Sequence, residues 1–227
     1  MRAYCSNVVS HTVESSYKPN KADHYILSVG RLEKNYLLPT LAEVKRFADK
    51  HKEETFNLMI IGSDPKGEVE NKIRALFEGT SNVTLDLMGY MYPIPSNLIG
   101  YNDVSIASAN SVLVSSNEGV PTIVIDIHDN LPIGIFGWTT QNKFSRDNEA
   151  PCTVVGLLED VLIKKIYSKL SPIMNDEERE IEEVFGRQVD FLELSNNDNF
   201  AYPVRDLYPI SKRMVNRTKR YLHLLGL

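Results

Sequence analysis

Between residues 25 and 126 the chain alternates short apolar runs with stretches of helical period. Five runs read as strands: Tyr25–Gly30, Phe56–Gly62, Asn82–Gly89, Asp103–Ala107 and Thr122–Asp126. Most are rich in Val, Ile and Leu, as parallel strands covered on both faces are. The gaps carry helical patterns. Leu38–His51 sets Leu41, Val44, Phe47 and Ala48 on one side, with Pro39 tolerable only in the first turn. Lys66–Gly79 does the same with Val69, Ile73, Leu76 and Phe77, and Gly79 is a natural stop. Pro95–Tyr101 has room for one or two turns. Asn110–Glu118 fits a brief helix closed by Gly119, with Pro121 just beyond. This alternation predicts an α/β fold: a Rossmann-like, doubly wound parallel sheet with right-handed crossovers.

The flanks differ. Residues 1–23 hold one weakly apolar fragment, Asn7–Val13, and read as a linker or the remnant of a preceding domain. Residues 127–150 read as a long irregular segment containing Gly134, Gly137, Trp138, Thr139, Thr140 and Gln141, and structureless segments of that length usually carry function. Helical patterns then cover Leu157–Leu170, an acidic stretch Asp176–Val189 and a basic stretch Ile210–Leu225. Asn196–Asn199 forms a polar break between the last two. The expected domains are therefore a Rossmann-like unit over 24–195 and a helical tail over 196–227.

Composition narrows the function classes. Of 227 residues, 42% are hydrophobic and 24% charged, as in an ordinary globular protein, and with a net charge of −5 nothing favours a nucleic-acid backbone as partner. Cys5 and Cys152 are far apart, so neither a structural zinc site nor a disulfide framework is expected. No apolar run approaches the roughly 18 residues of a membrane span. The first residues lack an apolar signal core, so the expected location is cytoplasmic.

In a doubly wound sheet, ligands sit beyond the carboxyl ends of the strands. After the first strand come Gly30, Arg31 and Lys34. Cations at a helix start oppose its dipole, and a bound anion resolves that conflict. After the second, Gly62-Ser63-Asp64-Pro65-Lys66-Gly67-Glu68 has the outer glycines of a phosphate loop, but Glu68 stands where the lysine belongs. It reads as a turn feeding a helix, capped by Ser63 or Asp64. After the fourth, Ser108, Asn110 and Ser111 open a helix that they can cap, or they can meet a phosphate. Glu118 is either a solvated charge at that helix's end or a partner for a sugar hydroxyl. Asp126-Ile127-His128-Asp129 matches no established metal spacing and reads as a polar turn, with acid–base work for His128 as the alternative. Trp138, Thr139, Thr140 and Gln141 either pack the loop down or clamp a sugar or base.

Several segments, in this order, carry a resemblance. They are Ser28-Val29-Gly30-Arg31-Leu32 with Lys34, Leu58–Pro65, Val83–Tyr90, Tyr101–Val104 and Glu118–Thr122. Residues 25 to about 127 resemble the C-terminal, donor-binding half of GT-B-fold glycosyltransferases, in particular the large retaining group (glycosyltransferase group 1, family 4-like). The resemblance implies binding of a nucleotide-diphosphate sugar such as a UDP-sugar, with no cofactor required and a metal usually dispensable. It puts the diphosphate clamp on Arg31 and Lys34, as the catalytic cations, and the donor-binding loop on Gly30, Ser108, Asn110 and Ser111, with Glu118 as a displaced carboxylate. The two glutamates that the group carries, with seven residues between them, fall, on alignment to Gly119-Val120-Pro121, on Ile106 and Val114, so both acids are missing. The N-terminal acceptor half is missing as well.

The implied function is transfer of a sugar to a saccharide or lipid-linked acceptor in polysaccharide biosynthesis. The chain would be inactive without its acceptor half and held at the inner membrane surface through the full-length protein. The alternatives are a nucleotide-sugar epimerase of the same fold and a non-catalytic Rossmann-like module that binds a partner through its helical tail.

Overall fold

The computed structural model describes residues 9–10 and 14–167. In chain order the elements are β1 (Val9–Ser10), β2 (His24–Val29), α1 (Leu37–Lys50), β3 (Phe56–Ile61), α2 (Glu68–Phe77) and β4 (Val83–Gly89). There follow β5 (Ile94–Pro95), α3 (Ser96–Gly100), β6 (Val104–Ala107), α4 (Ser111–Ser116), β7 (Thr122–Ile125), β8 (Pro132–Ile135) and α5 (Val154–Leu158). A π-helical turn, Glu159–Ile163, continues α5.

Six strands form one sheet in the order β4-β3-β2-β6-β7-β8. The first five are mutually parallel and β8 runs antiparallel to β7. All five expected strands lie within one residue of their predicted ends. The fold is therefore α/β and Rossmann-like, with its crossovers doubly wound.

Side chains alternate across the strands and build two apolar layers. Ile26, Leu58, Ile60, Ile106, Ile123 and Ile125 face α1, α2 and α5, packing against Leu41, Val44, Phe47, Ile73 and Leu158. Their neighbours Leu27, Val29, Met59 and Ile61 face the other way, with Ile99 of α3 and Val114 of α4. Because both faces of the central strands are covered, apolar residues occupy successive positions there, with only isolated polar residues such as Ser28, Asn57 and Ser105, and this makes the runs readable in sequence.

Three expectations change. Residues 127–150 are not irregular throughout: Pro132–Ile135 is the antiparallel edge strand β8. Four residues with a proline first and a glycine third give no apolar run to recognise. Within residues 1–23, Val9–Ser10 pairs in parallel with Ile94–Pro95, and Asn97 clasps the Ser15 backbone through both its amide atoms. The last described helix starts at Val154 instead of Leu157, because Thr153 caps it by accepting the Gly156 N–H at 3.0 Å. The remainder of that helix beyond 167, the acidic and basic helices and the boundary at 195/196 lie outside the described residues. Among the described residues, no helix is long and apolar enough to cross a membrane.

Candidate functional site

Strand order reverses between β2 and β6, so the chain leaves these neighbours on opposite faces and opens a crevice at their carboxyl ends. Two turns line it. After β2, Gly30 adopts φ +148, a backbone region that favours glycine. Buried Leu32 then anchors the turn in the core, leaving Arg31 exposed and Lys34 half-buried. The Gly30 N–H donates to the Ile61 carbonyl at 3.0 Å, and the Gly62 N–H donates to that of Gly89 at 2.9 Å. After β6, Ala109 takes φ 57, left-handed for a residue with a Cβ, and its N–H donates to the Lys143 carbonyl at 2.8 Å. Ser111 is the first residue of α4.

These turns bring three polar heads to one point. A Cβ built on Gly30 would stand 3.5 Å from Lys34 Nζ, 3.6 Å from Ser111 Oγ and 3.6 Å from the Tyr36 hydroxyl. Lys34 Nζ also lies 5.5 Å from the centre of the Tyr36 ring and 3.5 Å from the Ser108 carbonyl oxygen, a long contact. Burial lowers the Lys34 pKa, and the neighbouring Arg31 guanidinium lowers it further. Burial raises that of Tyr36, which keeps its phenol protonated. The point is thus lined by an ammonium and two hydroxyls, all able to donate, beside a second cation. Such a lining fits an anionic oxygen.

The structure gathers Gly30, Arg31, Lys34 and Ser111 from the predicted set. Asn110 is half-buried at the position before α4 and makes no side-chain cap. Ser108 is fully buried; its carbonyl faces Lys34, while its hydroxyl has no hydrogen-bond partner among the described residues. Glu118 is not brought in. It follows α4 and precedes β7, where the Ser105 N–H bonds the Pro121 carbonyl, so it lies at the amino ends of the strands. Seven residues along the helix direction separate it from Ser111 by about 10 Å. The expected donor-binding residue Glu118 therefore stands apart from the Gly30 turn. Ile106 and Val114, where the resemblance places glutamates, are 1% and 3% exposed within the apolar layers.

The remaining strand ends are structural. Asp64 accepts N–H donors from Lys66 at 3.0 Å and Val69 at 2.5 Å, organising the start of α2 and holding its own pKa low, chiefly through Val69. Asp126 accepts from the backbone of His128 and of Arg146, each at 2.7 Å. Burial pushes its pKa up, but these donors outweigh it and leave the carboxylate below its ordinary value. His128 itself is exposed. Trp138 packs edge-on against Tyr167, 6.0 Å between ring centres, near the amino ends of the strands, so it is not a clamp at this crevice. Among the described residues, no group of three or more His, Cys, Asp or Glu side chains could hold a metal ion.

Tyr36 is the site residue that sequence reasoning missed. An aromatic residue beside Leu37 and Leu38 at a helix start reads as core, and its ring is core; only the hydroxyl reaches the crevice.

No protein-family model matches the sequence, and no curated protein matches it. Solved structures of similar architecture include the pneumococcal O-GlcNAc transferase GtfA in complex with UDP and GlcNAc, at 16% identity and a TM-score of 0.47, covering 84% of this chain and 39% of that one. The UDP-GlcNAc 2-epimerase of Neisseria meningitidis bound to UDP-GlcNAc is similar at 14% identity and a TM-score of 0.44, covering 72% and 45%. A glycosyltransferase of Rickettsia africae is similar at 17% and 0.43, covering 66% and 38%. The chain spans less than half the length of each.

Proposed function

We propose that the chain binds the diphosphate of a nucleotide sugar above Gly30 and serves as the donor half of a glycosyltransferase. One observation carries this reading. A half-buried ammonium, Lys34, sits beside a second cation at the switch point of the sheet, with the Ser111 and Tyr36 hydroxyls next to it. Desolvation and like charge both oppose that cation, and a bound diphosphate offsets both. In transfer, Arg31 and Lys34 would stabilise the negative charge that builds on the leaving nucleoside diphosphate as the glycosidic bond breaks. No metal is needed for that role, and the acceptor, a saccharide or a lipid-linked sugar, would be presented by a separate N-terminal half. On this reading the chain works in polysaccharide biosynthesis on the cytoplasmic side.

A second reading, a non-catalytic Rossmann-like module, is favoured by Ile106 and Val114. Both are buried in apolar layers where the retaining group has carboxylates, so no acid there can hold a ribose or assist transfer. An epimerase would need an acid and a histidine acting together, yet Asp126 is engaged by backbone N–H donors and His128 is exposed.

Calorimetric titration of the chain with UDP, GDP and ADP, with and without magnesium, decides between donor domain and inert module. Saturable binding of one diphosphate supports the donor reading and names its base. No heat from any of the three rejects it.

A further inference from the structure

We propose that the Tyr36 phenol is a third donor to the diphosphate oxygen held by Lys34 and Ser111 above Gly30, an inference that rests on the donor reading and names its anion contact. Tyr36 stands just before α1, 4% exposed, with its ring in the apolar layer beside Leu37 and Leu41. Phenylalanine would serve that packing equally well. A buried hydroxyl is costly unless it has a polar partner, so its presence needs a reason at its own end of the ring. There it emerges beside Lys34 Nζ and Ser111 Oγ, all three 3.5–3.6 Å from one point over Gly30. An oxygen near that point is within reach of all three donors at once. An ammonium and two hydroxyls at one point suit a phosphoryl oxygen better than a cation. The ring adds a second service: it faces the Lys34 ammonium at 5.5 Å and holds that cation toward the same point.

The test uses the full chain and its Tyr36→Phe variant, which keeps the ring and removes one oxygen. Each is titrated calorimetrically with UDP and with inorganic pyrophosphate across pH, and each is melted. The variant should bind both probes about tenfold more weakly, the effect of one hydrogen bond to a charged acceptor. Its melting temperature and the alkaline midpoint of its affinity profile, which reports Lys34, should stay in place. Equal binding by both proteins overturns the Tyr36 contact and leaves the donor reading standing. A lowered melting temperature, or a shifted alkaline midpoint, also overturns it, since Tyr36 would then act through packing or through Lys34. Binding of pyrophosphate without UDP supports the anion contact while rejecting a nucleotide as its owner. If the wild-type chain binds neither probe, both the donor reading and this inference fall.

Discussion

The carbonyl oxygen of Gly30 occupies the space that a side chain on Gly62 would need. Two neighbouring strands thus end on glycines for different reasons, one for its own backbone angle and one to let the other pass. Gly62→Ala must push β2 and β3 apart where the crevice begins. Overpacking of this kind costs about 1–3 kcal/mol. The expected result is a melting temperature several degrees lower and weaker UDP binding from a residue that touches no ligand. A variant with wild-type melting and affinity would show that the Gly30 turn relaxes freely.

Lys34 gives a prediction with opposite signs for stability and binding. Its folded pKa lies below the ordinary 10.5. Between those two values the unfolded chain holds more protons than the folded one, so stability rises with pH across that window. Lys34→Met removes the desolvated charge, flattens that rise and should leave the melting temperature equal or higher near neutral pH. UDP affinity should nonetheless fall about 10–100-fold, as loss of a charged hydrogen bond implies. Exposed Arg31 offers a companion: Arg31→Glu puts a carboxylate beside the diphosphate and should abolish binding while leaving the melting temperature equal or higher, since it also removes the like charge beside Lys34. Unchanged affinity in Arg31→Glu would sink the donor reading.

Glu118 marks the boundary of the site. Lying at the amino ends of the strands, it should be indifferent to nucleotide, so Glu118→Gln should titrate with UDP as the wild type does. A clear loss would mean that the ligand reaches much farther from Gly30 than the crevice allows.

Acid should loosen the loop after β8 first. Glu149 accepts hydrogen bonds from the Thr140 hydroxyl, the Asn142 amide and the Asp147 N–H at 2.5, 2.6 and 2.8 Å. Burial pushes its pKa up, but these donors outweigh it and hold it at about 2, against an ordinary 4.5. The stabilisation is complete above 4.5 and is lost as pH falls toward 2. Glu149→Gln should remove most of the stability change over that interval, as followed by thermal melts at stepped pH. A variant that keeps the wild-type acid slope would place the effect on another carboxylate.

The parallel strands were legible because cover on both faces leaves a run such as Leu58–Ile61 without polar positions on either side. β8 was not, since Pro132 and Gly134 occupy half of its four residues and its partner is supplied only by the fold. The cations of the site were legible for an electrostatic reason: Arg31 and Lys34 stand before a helix that has no use for them. The place of Glu118 was not legible, because a sequence gives distance along the chain and not which end of a helix faces the crevice. Tyr36 was hidden because ring and hydroxyl belong to different environments, and a one-dimensional pattern assigns the residue to one.

The turn that follows β8 decides how this sheet can grow. The Ile135 N–H, which points away from β7, is taken by the Thr139 hydroxyl at 2.8 Å, and the Ile135 carbonyl receives N–H groups from Trp138, Thr139 and Thr140. At the other end the Pro132 carbonyl receives the Arg146 guanidinium at 2.7 Å and the Cys152 thiol at 3.2 Å, and Pro132 has no N–H to offer. Both ends of the strand's outward side are already satisfied by its own chain. A strand from another molecule would find both ends of that side taken, which disfavours self-association by strand addition on this flank.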